Sequence, residues 1–510
     1  MTPPVDRLAG LDSWTSDWAG LRVAVLGLGT TGFAVADTLA ELGAELLVVA
    51  EQPDADREAI LGVLGVPVVI APREEVPSAL VELAPELLVV SPGYHPDHPL
   101  LAWAEEAGVA VWGDIELAWR LRDKVRAAEW IAITGTNGKT TTTRLTAHLL
   151  RHAGMRVADV GNIGVPVLDA IREPGGFDVL VVELSSYQLH WLPLSGAGAL
   201  RPIASVCLNL ADDHLDWHGS REAYAAAKAR VYANTRVACV YNKADLATRR
   251  MVEDADVAEG CRAIGIDLGV PGPSDLGVVD GILVDRAFLD DRHRAALELA
   301  TLAELDERGL ASPHLTADVL AAAALARAAG ASPAAVHEGI ADFVLDPHRT
   351  QLVARQAGVD WVDDSKATNP HAADAALRAY PSVVWILGGL TKGVDLAPLI
   401  AAHADRLRAA IVIGAEREAV LGALARHAPA VEVLEIVAGE DVDVMPEAVR
   451  LASGAARPGD AVLLSPAAAS MDQFRDYADR GRRFAAAVME RLGRAGGAND
   501  EHRPRADRAD

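Results

Sequence analysis

The chain has 510 residues, 51% of them hydrophobic, which at roughly 100–200 residues per domain predicts about three globular domains and excludes a disordered polymer. It carries 72 Asp and Glu against 47 Lys and Arg, a net charge of −25, which speaks against DNA or RNA as a partner because polyanions need a basic surface. No window reaches about 18 uninterrupted apolar residues, and residues 1–20 carry Asp6, Asp12 and Asp17 without an apolar signal core, so the expectation is a cytoplasmic protein with no membrane insertion.

Residues 21–27 predict a buried strand, followed by the turn Gly27-Leu28-Gly29-Thr30-Thr31-Gly32 and a helix to about Leu42. Further strands are expected at 45–49, ending at Glu51, and near 67–70 and 87–90; strands alternating with helices imply a parallel sheet. The glycine turn matches the dinucleotide fingerprint, with Glu51 about 20 residues on. Three readings stay open here: an NAD site, a nucleotide diphosphate on the same helix end, or a turn that only packs a helix against a sheet.

A second unit begins near Trp130, with a strand at 130–133, the turn Thr134-Gly135-Thr136-Asn137-Gly138-Lys139-Thr140-Thr141 and a helix from about Lys139 to His152. Such a turn lets backbone N–H groups wrap phosphates at a helix N-terminus, with Lys139 as a point charge and Thr140 in reach of a metal ion. The general P-loop pattern has a glycine where this chain has Ile133; the plain alternative is a strand–turn–helix with a surface lysine. A strand at 177–182 ends at Glu183, where a carboxylate could hold Mg²⁺ beside bound phosphates or simply be a solvated strand end. A strand at 205–208 precedes Asp212-Asp213-His214-Leu215-Asp216-Trp217-His218, dense in metal ligands but also readable as a polar loop. Lys228, on an alanine-rich helix, reads as part of a solvated face. Cys207, Cys239 and Cys261 are odd in number, with no two at metal-ligand spacing, and read as buried reduced thiols. Residues 262–312, rich in Gly, Pro and Asp, read as irregular, and a helix is expected at 316–329.

A third unit starts near His348, with strands at 359–362, 383–387, 410–413 and 461–464 and a helix opening at Asn369-Pro370. Three strand ends carry polar groups: Asp363-Asp364-Ser365-Lys366-Ala367-Thr368-Asn369, Gly388-Gly389-Leu390-Thr391-Lys392-Gly393, and Ser465-Pro466-Ala467-Ala468-Ala469-Ser470-Met471-Asp472. If they converge, their lysines and hydroxyls suit a ligand with carboxylates; otherwise they are ordinary loops. The tail from Gly493 is polar and charged and is expected to be disordered.

In this order, Thr-Gly-Thr-Asn-Gly-Lys-Thr (134–140), Glu-Leu-Ser-Ser-Tyr-Gln-Leu (183–189), the pair Asp213-His214 and Asp-Ser-Lys-Ala-Thr-Asn (364–369) resemble the Mur ligases, over about residues 21–490. The segment 464–474, Leu-Ser-Pro-Ala-Ala-Ala-Ser-Met-Asp-Gln-Phe, looks most like the D-glutamate-adding branch. The resemblance implies an α/β chain of three domains: a Rossmann-like UDP-binding domain over 1–127, a P-loop-type central ATPase domain over 128–346, and a Rossmann-like amino-acid-binding domain over 347–492, before a tail at 493–510. It implies an ATP-dependent ligase, expected to act as a monomer, that joins D-glutamate to UDP-N-acetylmuramoyl-L-alanine through an acyl phosphate.

By position, Gly27, Gly29, Thr30, Thr31 and Gly32 would take the UDP diphosphate, and Asn162 the ATP or muramoyl part. Gly135, Thr136, Asn137, Gly138, Lys139, Thr140 and Thr141, with Arg349 and Asp364, would bind ATP. Thr140 and Glu183 would hold one Mg²⁺ and His214 a second, with Lys228 matching a lysine that the family carbamylates into an oxygen ligand. Lys139, His214 and Lys228 are the implied catalytic residues. Lys366, Thr368, Lys392, Ser470, Met471 and Tyr477 would receive D-glutamate. Leu315 and Asp318 stand where the family often has two asparagines, after the histidine matching His314; residues 262–312 and Glu51-Gln52 match no family pattern.

The rival readings are a ligase of the same superfamily that adds another amino acid, including a folylpolyglutamate-type enzyme, a GTPase switch and an NAD-dependent oxidoreductase. The GTPase reading rests on Asn242-Lys243-Ala244-Asp245 and Asp216-Trp217-His218-Gly219, but Ile133 breaks its first motif.

Overall fold

The computed structural model describes residues 4–437 and 443–500, with side chains over 7–437 and 443–493. The backbone divides into two compact units, one of residues up to Leu210 with Glu222–Phe343, the other of Ala211–Arg221 with the chain from Val344 onward.

The first unit holds two sheets. Strands β1 (Arg22–Leu26), β2 (Glu45–Ala50), β3 (Val68–Ile70), β4 (Leu87–Val90) and β5 (Ala110–Gly113) form a fully parallel sheet in the order β3-β2-β1-β4-β5. Val23–Leu26 of β1 and all of β4 are buried, as expected of strands covered on both faces. The strand order reverses beside β1, so the first glycine turn opens on the crevice where such sheets bind ligands.

The second sheet has nine strands: β6 (Glu129–Thr134), β7 (Val157–Gly161), β8 (Val179–Glu183), β9 (Ala204–Cys207), β10 (Ala238–Asn242), β11 (Arg262–Ile266), β12 (Asp275–Val279), β13 (Ile282–Asp285) and β14 (Leu297–Thr301). Their order is β14-β13-β12-β11-β10-β9-β6-β8-β7, parallel from β7 to β12 and antiparallel at β13 and β14. The segment read as irregular, 262–312, therefore builds four strands of this sheet. The strands are only 4–5 residues long, too short for a pattern to stand out, and their ladders come from neighbours. Asp280 and Gly281 both have positive φ (50° and 81°), the requirement of the two-residue turn that joins β12 to β13. The helix Lys139–His152 is covered by the helices Pro313–Ala328 and Pro333–Asp342. Alanines 321–324 and 326 are buried throughout, which lets the covering helix approach closely.

The second unit holds β15 (Gln351–Gln356), β16 (Val359–Asp363), β17 (Val383–Leu387), β18 (Leu407–Val412), β19 (Glu432–Glu435) and β20 (Ala461–Leu464), in the order β15-β16-β20-β17-β18-β19. All neighbours are parallel except the edge pair β15 and β16. Asn369 caps the helix Pro370–Arg378 by accepting from the Ala372 N–H at 2.9 Å. The helix Tyr477–Asp500 runs eight residues into the tail expected to be disordered, because extending a formed helix costs far less than starting one; residues 501–510 lie outside the described residues. Among the described residues, no helix is long and apolar enough to cross a membrane.

Candidate functional site

The Gly27–Gly32 turn leaves β1 and enters the helix Thr30–Glu41. A Cβ on Gly32 would lie 2.0 Å from the Gly27 carbonyl oxygen, so only glycine permits this closeness of strand and helix. Two neighbours that the sequence reading did not single out sit at this turn. Ser91, just past β4, has its Oγ 2.7 Å from a Cβ built on Gly27, and this hydroxyl is buried without a partner. Arg57 donates to Thr30 Oγ1 at 3.2 Å and, more weakly, to the Leu28 carbonyl at 3.4 Å. Glu51, where a ribose-binding acid would stand, is bonded at 3.1 Å to the buried His98. Burial, with Glu51 nearby, pushes the Tyr94 phenol up to about 12. A hydroxyl and a guanidinium at the helix N-terminus make the turn suited to an anion, while the acid of the NAD pattern is engaged elsewhere.

In the second sheet, β6 is flanked by β8 and β9, so three strand ends meet where the chain turns into the helix Lys139–His152. Gly138 caps that helix at φ +83°, and a Cβ there would lie 2.3 Å from Asp318 Oδ1. Asp318, one of the two positions that depart from the family pattern, thus packs against the phosphate-type turn, and both it and Leu315 are buried. The Lys139 ammonium donates to the carbonyls of Gly135 (2.9 Å) and Thr136 (2.8 Å), folding back over its own turn. Asn209, also absent from the sequence reading, clamps the turn from β9. Its Oδ1 accepts from the Asn137 N–H at 2.9 Å, its Nδ2 donates to the Asn137 carbonyl at 3.1 Å, and its carbonyl accepts from the Thr136 N–H at 3.0 Å. Thr136 Oγ1 lies 3.0 Å from the Tyr224 hydroxyl.

Glu183 ends β8 opposite Ile133 of β6 and is 2% exposed. Its Oε1 accepts from Asn162 Nδ2 at 3.0 Å, while Oε2 is buried with no partner. A buried, half-satisfied carboxylate beside a phosphate-type turn fits the hard oxygen ligand that Mg²⁺ demands. Ser185 caps the helix Ser186–Trp191 in a reciprocal box with Gln188, so two residues of the Glu-Leu-Ser-Ser-Tyr-Gln-Leu segment do structural work. Gln188 also donates to Asp114 Oδ2 at 2.9 Å, and burial raises the Asp114 carboxyl to about 6.

Lys228 corrects the reading of a solvated face: it is 2% exposed and donates to the Gly135 carbonyl at 2.8 Å and, weakly, to Thr134 Oγ1 at 3.4 Å. The helix turns it inward together with Tyr224, whose ring lies 4.8 Å from its ammonium. Spacing alone could not reveal this, because most neighbours on that helix are alanines that are indifferent to either face. Cys207 and Cys239 are buried and Cys261 partly so; the fold brings the Cys239 and Cys261 sulfurs to 3.8 Å.

In the second unit, β16, β20 and β17 are adjacent and parallel, so the three polar strand ends do converge. Leu390 and Ala469 exchange backbone hydrogen bonds at 2.9 and 2.8 Å, and Ala467 N–H donates to the Ala367 carbonyl at 2.9 Å, stitching the loops together. Lys366 lies 4.9 Å from the Tyr477 ring, Ser470 is buried, and Met471 is 72% exposed. Lys392 lies 3.9 Å from Asp213 Oδ1, and Asn369 donates to Asp213 Oδ2 at 3.3 Å, so the metal-ligand-rich loop packs with these strand ends. Asp213 in turn accepts from the His214 N–H at 3.0 Å. Asp364 accepts from Ser465 Oγ at 2.7 Å and from the Thr350 N–H at 3.0 Å, and burial raises it to about 7. Arg349 keeps a buried Nε without a partner. Arg480, missed in the sequence, is fully buried and donates to Ser365 Oγ (2.9 Å), the Ser365 carbonyl (2.8 Å) and the Ala468 carbonyl (3.2 Å), so one guanidinium ties two of the three loops.

The guanine-reading pattern is occupied otherwise. Lys243 pairs with Asp275 at 2.7 Å, and Asp245 caps the helix Leu246–Glu253 while accepting from the Leu210 N–H at 2.7 Å.

The sequence pattern described as the Mur ligase middle domain matches residues 133–268, and that described as the Mur ligase, glutamate ligase domain matches residues 348–468. The UDP-N-acetylmuramoylalanine--D-glutamate ligase of Leifsonia xyli subsp. xyli is 63% identical over 508 residues, covering 98% of each chain. That of Streptomyces coelicolor is 52% identical over 480 residues, covering 93% of this chain and 99% of its own. Among solved structures, the UDP-N-acetylmuramate-alanine ligase MurC of Thermotoga maritima superposes with a TM-score of 0.52 at 19% identity, over 93% of this chain and 99% of that one. MurF of Acinetobacter baumannii gives 0.53 at 16%, over 92% and 90%; at such identities the likeness is one of fold.

Proposed function

Because the chain belongs to the Mur ligase family, we propose that it is the ATP-dependent ligase that joins D-glutamate to UDP-N-acetylmuramoyl-L-alanine in peptidoglycan precursor synthesis, working in the cytoplasm. The observation that carries this reading is 63% identity over 98% of both chains to a relative of that name, supported by the lysine turn between the end of β6 and the helix Lys139–His152. The domain spans 1–127, 128–346 and 347–492 are proposed with it.

The chemical problem is to bring a triphosphate and a carboxylate together in a protein of net charge −25. The backbone N–H groups of Gly135–Thr141 and the Lys139 ammonium gather the ATP phosphates, and the Asn209 clamp holds that turn in one shape before ATP arrives. Thr140, Glu183, His214 and Lys228, the last as a carbamate, are the residues proposed to hold Mg²⁺, which when bound would neutralise phosphate charge. With that charge offset, the L-alanine carboxylate attacks the γ-phosphorus and ADP leaves, giving an acyl phosphate. The amine of D-glutamate then attacks the activated carbonyl, and phosphate departs as the amide forms. Gly27, Gly29, Thr30, Thr31 and Gly32 are proposed to take the UDP diphosphate and Asn162 the neighbouring part of the substrates. Lys366, Thr368, Lys392, Ser470, Met471 and Tyr477 are proposed to receive D-glutamate, whose two carboxylates account for two lysines among them. Arg349 and Asp364 are proposed to contact ATP.

Phosphate release from ATP with UDP-N-acetylmuramoyl-L-alanine tests the reading against L-alanine, D-glutamate, diaminopimelate and lysine. D-glutamate alone should support turnover; release driven by another amino acid instead would overturn the substrate assignment.

A further inference from the structure

The helix that opens at Lys139 closes, at its other end, on a cluster that the ligase reaction does not use. His148 and His152 stand one turn apart, so their rings share a face. Both turn toward the end of the helix Pro333–Asp342. His148 Nε2 lies 2.6 Å and His152 Nε2 3.2 Å from the same oxygen, Asp342 Oδ1. The rings are 4.8 Å apart, and Phe343 packs edge-on against His148 at 5.6 Å, which fixes that ring's plane. Gly339 lets the helices close at this point, since a Cβ there would meet Leu149 at 2.8 Å and His152 at 3.3 Å. The hydrogen bond from His148 holds the Asp342 carboxyl below its usual range, so it is anionic.

We propose that His148, His152 and Asp342 form a binding site for a divalent transition-metal ion of the zinc type. The three ligand atoms already lie within 4.8 Å of one another, the one such group of three among the described residues. Tetrahedral ligands about 2.0 Å from zinc are separated by about 3.3 Å, and the two nitrogen–oxygen separations, 2.6 and 3.2 Å, lie at or below that spacing, so admitting the ion moves the carboxylate away from His148. Two imidazole nitrogens with one carboxylate favour zinc, cobalt or nickel over Mg²⁺, which selects oxygen ligands, so the site is chemically distinct from the one proposed at Glu183. Side-chain exposures of 28%, 27% and 58% leave the fourth position to water. A bound ion would replace a hydrogen-bonded contact by coordinate bonds and pin the last turn of the lysine helix to its neighbour.

The test uses the full chain freed of metal and dialysed against ZnCl₂ with Mg²⁺ in excess. The wild type should retain one more equivalent of zinc than His148→Gln/His152→Gln, and zinc should raise its Tm while leaving that of the double variant unmoved. Co²⁺ in place of zinc should give visible d–d absorption that the double variant lacks. Asp342→Ala, at an exposed position, is the second variant and should bind zinc at least about 10-fold more weakly. Equal zinc content in wild type and double variant, or unchanged affinity in Asp342→Ala, would overturn the proposal.

Discussion

Lys139, partly buried, and Lys228, fully buried, both donate to the Gly135 carbonyl, yet the two lysines are expected to fail differently. Lys139→Ala removes the charge proposed to meet the phosphates and should lower kcat at least about 100-fold while circular dichroism stays unchanged; near-normal turnover would remove the phosphate role. Lys228→Ala should also be inactive, but if the proposed carbamate forms, short carboxylic acids should restore part of its activity by supplying an oxygen in its place, and intact wild-type enzyme in bicarbonate should carry the mass increment of one CO₂. No increment and no rescue at any CO₂ level would argue against carbamylation. Asn209 is a positioning residue: Asn209→Ala should raise KM for ATP more than it lowers kcat, with a stability loss of about 1–3 kcal/mol from unpaired groups on the turn. A change in kcat alone would speak against the clamp.

At the scale of elements, the helix Asp114–Arg120 illustrates a buried acid that opposes stability. Burial lifts Asp114 from 3.8 to about 6 in the folded protein, so the folded state binds more protons than the unfolded one between these values. Its share of stability is therefore greatest in acid and declines as pH rises through that window. Asp114→Asn keeps an acceptor for Gln188 and removes the charge. Its Tm advantage over wild type should be near zero at pH 4 and grow to a plateau above pH 7; an advantage independent of pH would mean that the acid is ionised without penalty. The turn ahead of the lysine helix is similarly exacting: Gly138 combines φ +83° with an aspartate oxygen in the space of any Cβ.

For the whole molecule, division into two compact units predicts that calorimetric unfolding departs from a single two-state transition, with ATP and Mg²⁺ raising the transition that contains the lysine turn. Coincident calorimetric and van't Hoff enthalpies would count against independent units. Much of this chain was readable in one dimension. The helix Lys139–His152, the strands Val383–Leu387 and Ala461–Leu464, the Asn369 cap and both glycine turns follow from local periodicity, capping and turn chemistry, which depend on residues close in sequence. The strands of 262–312, although signalled by Asp280-Gly281, took their identity from hydrogen bonds to partners. The inward turn of Lys228, the Asn209 clamp, the Ser91 hydroxyl behind the first glycine turn and the Arg480 tie between two loops were decided by tertiary structure alone. The lysine, the asparagine and the arginine each meet distant backbone groups left needing a partner once the sheets have assembled, and the serine is brought to the turn by the pairing of its strand with the first; no spacing along the chain encodes either.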